Sequence, residues 1–320
     1  MRAIEVTEYG GPEQLRVIDR PEPTPGPGQL VVDVAAAGVN FIDTYKRSGI
    51  YPVPLPFSPG EEGAGTVRAV GPEVGAIAVG DHVAWASGSG GYAEQTVVEA
   101  ASAVPVPAGV TDEVAAAVIL QGLTAHYLVT STHAIRSGDV AVVHAGAGGV
   151  GLLLTQLVKL LGGRVITTVS TPEKAELSRG AGADEVLEYD DFAAAARRFT
   201  DGRGVDVVYD GVGAMTFDQS LDALRPRGMM ALYGASSGPV PPVDPQILNR
   251  KGSLFLTRPT LGHHIATREE LVGRSDELFG WVASGKVNVR IGARYPLAEA
   301  AQAHTDLQAR KTTGKLLLQP

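Results

Sequence analysis

The chain has 320 residues, of which 44% are hydrophobic and 19% charged, with a net charge of -8 and no cysteine. That length supports a large core and two domains, the composition is ordinarily globular, and the acidic balance argues against nucleic-acid phosphates as partners. Without cysteine there are no disulfides, thiolate nucleophiles, iron–sulfur clusters or Cys-built zinc sites; charged Arg2 and Glu5 interrupt any N-terminal leader, and the longest apolar run, 114–120, falls short of a membrane span of about 20 residues, so a soluble, cytoplasmic protein with no membrane partner is expected.

Residues 1–120 are rich in Gly, Pro and Val, with β-type runs at 30–34, 65–70 and 92–98. Turn signals separate them: Pro25-Gly26-Pro27-Gly28, Pro59-Gly60, Gly71-Pro72 and Gly88-Ser89-Gly90-Gly91. Short strands so punctuated predict a barrel-like all-β unit. After about residue 122 strands at 140–144, 164–169, 186–188, 205–209 and 228–233 alternate with helices at 152–161, 173–179, 192–199 and 216–224. That alternation predicts βαβ units and a parallel sheet with helices on both faces. An apolar strand follows at 254–256, then a helix at 268–284, a strand at 287–291, a helix at 297–308 and a final strand at 315–318.

Between the first of these βα pairs stands Gly146-Ala147-Gly148-Gly149-Val150-Gly151, a G-x-G-x-x-G with the strand before and helix after that a dinucleotide site requires. Gly146 permits the tight turn, Gly148 clears the approach of a pyrophosphate, and Gly151 lets helix and strand pack closely. Backbone N–H groups at the helix start face the anion. An NAD site usually has an acid at the end of the second strand; here Ser170-Thr171-Pro172-Glu173-Lys174 occupies that place. Ser170 and Lys174 suit a 2′-phosphate, so NADPH is the expected cofactor, although Glu173 can turn back toward the ribose and Lys174 has a plain surface reading. Tyr189, at the end of the third strand, either meets the adenine end of the cofactor or covers the sheet edge. Asp210-Gly211-Val212-Gly213 and Tyr233-Gly234-Ala235-Ser236-Ser237-Gly238 end later strands at the carboxyl edge. Both are placed to touch ribose or nicotinamide, or they are sheet-end turns. The histidines show no H-x-x-x-H spacing, and the adjacent His263 and His264 face different ways, so no metal site is expected.

Several stretches, in order along almost the whole chain, resemble the zinc-free quinone oxidoreductases, the zeta-crystallin-like branch of the medium-chain dehydrogenase/reductases. They are Tyr9-Gly10-Gly11-Pro12-Glu13, Gly38-Val39-Asn40-Phe41-Ile42-Asp43-Thr44-Tyr45, Arg47-Ser48-Gly49, Pro59-Gly60-Glu61-Glu62-Gly63-Ala64-Gly65 and Gly80-Asp81-His82-Val83, followed by Gly90-Gly91-Tyr92-Ala93-Glu94, His144 through Gly151, and Gly314-Lys315. The resemblance implies a GroES-like β-barrel substrate domain over 1–122 and 265–320. It implies a Rossmann NADPH-binding domain with a doubly wound parallel sheet over 123–264, and ligands in the cleft between the two. Zinc-dependent relatives carry Cys where this chain has Asn40 and His where it has Glu61, and they insert a four-Cys loop after the Gly90 region. Without a Lewis acid, ordinary alcohol dehydrogenation loses its activation, whereas an electrophilic quinone or enone does not need it.

The same resemblance makes Asn40, Asp43, Tyr45 and Tyr51 candidate catalytic residues: Asn40 on the nicotinamide ribose or acceptor carbonyl, Asp43 orienting it, Tyr45 over the nicotinamide, and Tyr51 lining the acceptor pocket. Turn capping is the plain alternative for Asn40 and Asp43, and an exposed loop aromatic for Tyr51. The cofactor residues implied are Tyr45, Gly146, Ala147, Gly148, Gly149, Val150, Gly151, Ser170, Thr171, Lys174, Tyr189, Gly211, Val212, Tyr233, Gly234, Ser236, Ser237, Thr257, Arg258 and Lys315. A homodimer through the 254–256 edge strand is expected. Two other readings share this sequence: an NADPH-dependent 2-alkenal or enoyl reductase, and a nucleotide-binding sensor or scaffold without turnover.

Overall fold

A computed structural model describes residues 1–320, and the chain divides into two units, Met1–Leu123 with Ile265–Pro320, and Thr124–His264. The first unit opens with β1 (Arg2–Glu5) antiparallel to β2 (Arg16–Asp19). The 11-residue β3 (Gln29–Val39) leads into the short helix α1 (Phe41–Arg47). Then come β4 (Gly63–Val70), β5 (His82–Trp85), β6 (Gln95–Glu99), β7 (Ala103–Pro105) and α2 (Asp112–Tyr127). β3 pairs antiparallel with β4 along most of its length and with β6 over Gln29–Asp33.

The second unit alternates strictly: β8 (Val140–Val143), α3 (Gly149–Leu160), β9 (Arg164–Thr168), α4 (Pro172–Gly180), β10 (Glu185–Leu187), α5 (Phe192–Phe199), β11 (Val205–Asp210), α6 (Phe217–Ala223), β12 (Leu224–Leu232), α7 (Gln246–Arg250) and β13 (Phe255–Thr257). All six strands are parallel, in the order β10-β9-β8-β11-β12-β13. Counted from its first strand this is 3-2-1-4-5-6, a doubly wound sheet whose direction of growth reverses beside β8. Every residue of β8 and β11 is buried, as central parallel strands covered on both faces must be. Val142, Ile166, Val208 and Met230 of the sheet pack with Phe192 and Ala196 of α5 and with Phe217 and Leu221 of α6.

The chain then returns to the first unit with α8 (Arg268–Ala283), β14 (Ile291–Pro296), α9 (Ala300–Gln308) and β15 (Lys315–Gln319). β15 pairs antiparallel with the end of β3 and parallel with β14. The core of this unit joins Ile4, Leu30, Val32, Val83, Trp85 and Val98 to Leu297, Ala300, Ala303, Leu316 and Leu318.

Three elements differ from expectation. Residues 41–47 form a helix too short for a periodic apolar face; it starts where the Asp43 carboxylate accepts the Asn40 backbone N–H. The apolar run at 114–120 belongs to a helical stretch of 21 residues, Asp112–Thr132, long and apolar enough by length and composition to cross a membrane. Gln121 and Gly122 do not end it: a methyl group at 122 would lie 2.6 Å from Leu278 Cδ2, so the missing side chain is what lets α8 pack there. Most of that stretch is buried inside the protein, as in a core helix. The strand expected at 287–291 starts later, at Ile291, because Val287 closes the end of α8 through its N–H to Trp281 O, at 3.1 Å.

Gly65 lies beside a register shift between β3 and β4, and a methyl group there would run into the carbonyl oxygen of Asp33. Gly65→Ala is expected to lower stability by about 3 kcal/mol through overpacking against backbone that has no free rotamer; thermal unfolding within about 0.5 kcal/mol of wild type would contradict this.

Candidate active site

At the end of β3 the first unit encloses two opposite charges. Glu62 and Lys315 have 0% and 1% of their surface exposed, and the Lys315 ammonium is paired with the Glu62 carboxylate. Neither charge is tolerable there without the other. Lys315 Nζ also donates to Asn40 Oδ1 at 2.9 Å, Asn40 Nδ2 donates to Glu62 Oε1 at 2.6 Å, and Gln121 Nε2 donates to Asn40 Oδ1 at 3.2 Å. The Leu120 N–H donates to the second Glu62 oxygen at 2.8 Å. Two donors on one side and one acceptor on the other leave the Asn40 amide a single orientation. Gly38 makes the space, since a Cβ there would lie 2.6 Å from Lys315 Cε.

A second chain of hydrogen bonds starts from the Asn40 backbone. Its N–H donates to Asp43 Oδ2 at 2.8 Å, and the Tyr92 hydroxyl donates to the same oxygen at 3.0 Å. His304 Nε2 lies 3.1 Å from the Tyr92 oxygen, and Arg47 Nη1 lies 3.1 Å from His304 Nδ1. Arg47 can only donate, so Nδ1 accepts and the His304 proton sits on Nε2, donated to Tyr92. Burial, with the Arg47 charge adding to it, lowers the His304 pKa to about 3, so the ring is neutral. Burial, then the nearby Glu61 charge, raises the Asp43 pKa to about 7. The other Asp43 oxygen, Oδ1, is buried with no hydrogen-bond partner.

Of the residues singled out in the sequence, Asn40, Asp43 and Lys315 are thus brought together. Asp43 caps the helix through the backbone, while the Asn40 side chain turns to the ion pair; Lys315 bonds to Asn40 and Glu62 and is wholly enclosed. Tyr45 and Tyr51 form an edge-to-face pair with centroids 5.4 Å apart, and Tyr51 is 39% exposed. Glu62 stood only beside the position compared with a zinc ligand, and Tyr92 and Arg47 only within matching stretches. Gln121 and His304 carried no local signal of this role, because they reach the cluster from a helix interior and the C-terminal segment. No group of three or more His, Asp or Glu side chains is arranged to hold a metal ion; Glu61 pairs with Lys46.

In the second unit each of the six strands ends at residues named in advance. After β8, Ala145 takes the left-handed conformation (φ 53°), so the tight turn rests on Ala145 and not on Gly146. Gly146 is needed for space: a Cβ there would lie 2.6 Å from Thr167 Cβ and 2.7 Å from Ser178 Oγ. Gly148 caps α3, Ala147 is buried beneath, and Gly149 and Val150 begin the helix. A Cβ on Gly151 would strike the Ala145 carbonyl oxygen. After β9, Ser170 is exposed and Thr171 caps α4 by accepting the Lys174 N–H at 3.3 Å, while Lys174 Nζ lies 3.4 Å from Ser170 Oγ. The Glu173 carboxylate bonds its own backbone N–H and the Thr171 hydroxyl, which holds its pKa below the usual range. Tyr189 follows β10, half-buried.

The loops after β11 and β12 are stitched together. Ser236 and Ser237 N–H donate to Gly211 O and Val212 O at 3.1 and 2.8 Å, and Ser237 Oγ donates to Val212 O at 2.7 Å. A Cβ on Gly211 would lie 2.9 Å from the Tyr233 ring, and one on Gly234 would lie 2.7 Å from Gly211 O. Thr257 ends β13, and Arg258 after it donates to Pro259 O at 3.4 Å.

Residues 26–108 match the Alcohol dehydrogenase GroES-like domain family and residues 149–272 the Zinc-binding dehydrogenase family. The chain is 48% identical to a quinone oxidoreductase of Pseudomonas aeruginosa, covering 100% of this chain and 99% of that one. It is 40% identical to a 2-haloacrylate reductase of a Burkholderia species, covering 99% and 98%. A mycobacterial protein solved in complex with NADPH is 56% identical and superimposes with a TM-score of 0.98 over 100% of both chains. With its GroES-like unit and its Rossmann-type parallel sheet, the chain belongs to the quinone oxidoreductase family of the medium-chain dehydrogenase/reductases.

Proposed function

We propose that this chain is an NADPH-dependent oxidoreductase that reduces a small quinone without a metal ion. The observation that carries this reading is the Lys315–Glu62–Asn40 cluster. At Asn40, where zinc-dependent relatives place a ligand, the side chain is bound to an internal ammonium and carboxylate. A site so built suits an acceptor that is already electrophilic.

The second unit fits NADPH. Gly148 has only Ala145 O within 3.4 Å of where its Cβ would stand, which leaves the approach to the α3 N-terminus clear for a pyrophosphate. Ser170 and Lys174 offer a hydroxyl and an ammonium to a 2′-phosphate, while Thr171 shapes that turn, its hydroxyl held by Glu173 and by the Lys174 N–H. Tyr189 serves the adenine end; Gly211, Val212, Tyr233, Gly234, Ser236, Ser237, Thr257 and Arg258 serve the ribose and nicotinamide end. NADPH, when bound, supplies the hydride. Asn40 donates one Nδ2 hydrogen to Glu62 and keeps the other for the nicotinamide ribose or the acceptor. Lys315 acts through Asn40 by fixing the amide, and Asp43 does so by fixing its backbone. Tyr45 and Tyr51 present rings to a flat acceptor. A reduced quinone oxygen has a pKa near ~10 and takes its proton from water. Catalysis then rests on positioning.

The Burkholderia relative's name supports a second reading, reduction of an electron-poor alkene at the same site. Both are tested by following NADPH and then NADH absorbance with 1,4-benzoquinone, a 9,10-quinone and a 2-alkenal, each with EDTA. Quinone-dependent oxidation of NADPH that ignores EDTA and is slower with NADH is expected. Turnover of the alkenal alone would install the second reading, and NADPH binding without any turnover a sensor.

Asp43 gives the site a pH dependence. Its folded pKa of about 7 stands above the ordinary 3.8, so the stability held by the neutral carboxyl is complete below about pH 4 and lost as pH rises through about 7. Asp43→Asn keeps an acceptor for the Asn40 N–H and the Tyr92 hydroxyl and carries no charge. It is expected to melt above wild type near pH ~8, with the difference shrinking near pH ~5; equal differences at both would sink the assignment.

We also infer a cytoplasmic homodimer. β13 ends the sheet with an open edge, and Phe255 on it is 57% exposed; a second copy continuing the sheet would cover both. Light scattering should give twice the 33.2 kDa chain mass, and a monomer would refute it.

A further inference from the structure

His144 stands between β8 and the glycine loop with no exposed surface, and the mechanism above gives it no part. Its ring reaches the ends of β9 and β10 and, through Ser220 of α6, the end of β11. Nδ1 is 2.8 Å from Thr168 Oγ1, at the end of β9 and two residues before Ser170. Nε2 is 2.9 Å from Ser220 Oγ. Ser220 Oγ donates to Asp210 Oδ2 at 3.2 Å, and Asp210 Oδ1 accepts the Val212 and Gly213 N–H groups at 2.7 and 2.9 Å. The ring also stacks at 6.2 Å on Tyr189, beyond the end of β10.

The directions of these bonds follow from the carboxylate. Asp210 can only accept, so Ser220 donates to it and must receive its own hydrogen bond from His144 Nε2–H. Nδ1 is then the acceptor of the Thr168 hydroxyl. Burial lowers the His144 pKa despite Asp210 nearby, so the ring stays neutral and this tautomer is the one that satisfies every partner. A wholly buried Ser, His and Asp have no access to a substrate, which rules out a hydrolytic triad. What the arrangement does accomplish is to tie the end of β8 to Thr168, from which the chain enters the Ser170–Lys174 turn, and through Ser220 to Asp210, which holds the Gly211–Gly213 turn.

We propose that His144 is a positioning residue that holds the loops after β8, β9 and β11 in register for the dinucleotide, its Nδ1 side setting the 2′-phosphate turn and its Nε2 side setting the turn after β11. The proposal rests on the NADPH reading given above.

The two halves can be removed separately. His144→Gln places an amide N–H near Nε2 and offers no acceptor to Thr168; Thr168→Val cuts the same bond from the other side. His144→Asn keeps an acceptor near Nδ1 and loses the bond to Ser220, as Ser220→Ala does. Dissociation constants for NADPH and NADH are read by titration of nucleotide fluorescence on the full chain, with melting temperature recorded in parallel. His144→Gln and Thr168→Val are expected to weaken NADPH about tenfold and NADH far less, eroding the preference for the 2′-phosphate. His144→Asn and Ser220→Ala are expected to weaken both cofactors by a similar factor and leave the ratio intact. If each pair instead lowers the melting temperature while both dissociation constants hold, or if all four variants shift the two cofactors alike, His144 is a packing residue and the proposal fails. The Thr168 and Ser220 variants decide the matter should the His144 variants not fold. A wild-type chain that binds no NADPH would refute the cofactor reading itself, a different result from unchanged variants of a binding-competent protein.

Discussion

Two buried charges organise the first unit. Lys315 comes from the last strand and Glu62 from the segment before β4, and folding brings them together in a core where either alone would be prohibitive. The pair cannot form unless β15 has docked on the end of β3, so it joins the C-terminal segment to the opening strands. Everything else at that end of the unit is arranged around it. Gly38 has no side chain because the pair needs the space, Asn40 has one amide orientation because the pair supplies both a donor and an acceptor, and the Leu120 N–H donates to the carboxylate. The consequence is a single allowed orientation for the Asn40 amide.

The second unit solves a similar problem without a buried cation, through neutral donors to the Asp210 carboxylate. Its sheet delivers six loops to one edge, and loops without regular hydrogen bonds are the softest parts of such a fold. Here the softness is removed by side chains buried behind the loops. Asp210 alone gathers two backbone N–H groups and the hydroxyls of Thr216 and Ser220. The loops after β11 and β12 share four hydrogen bonds between Gly211–Met215 and Ser236–Ser237. The loops after β11 and β12 are thereby ordered by the chain's own side chains.

The resemblance to zinc-dependent relatives is instructive at the level of single residues. The match of residues 149–272 to a zinc-binding dehydrogenase family lies mostly in the second unit, whereas the residues compared with zinc ligands lie in the first. There Asn40, Glu61 and Glu62 make bonds to Lys46, Lys315 and Gln121. The place compared with a zinc site is here closed on a cation of the chain itself, Lys315.

The sequence by itself determined the alternation of strands and helices from 140 onward, the glycine loop, and the Ser170 and Lys174 pattern, because these are local: hydrophobic period, turn chemistry and a motif of fixed spacing all lie within a few residues of one another. It gave the tight turn of the glycine loop to Gly146 where Ala145 makes it, saw only the 114–120 part of a longer helical stretch, and placed a strand over Val287, since each of these depends on what packs from elsewhere. Only the tertiary structure decided the partners of Asn40, the route from Asp43 through Tyr92 and His304 to Arg47, and the placement of His144 behind three loops. Those contacts join residues as far apart as Asn40 and Lys315, and a buried polar group takes whichever partner the fold brings to it.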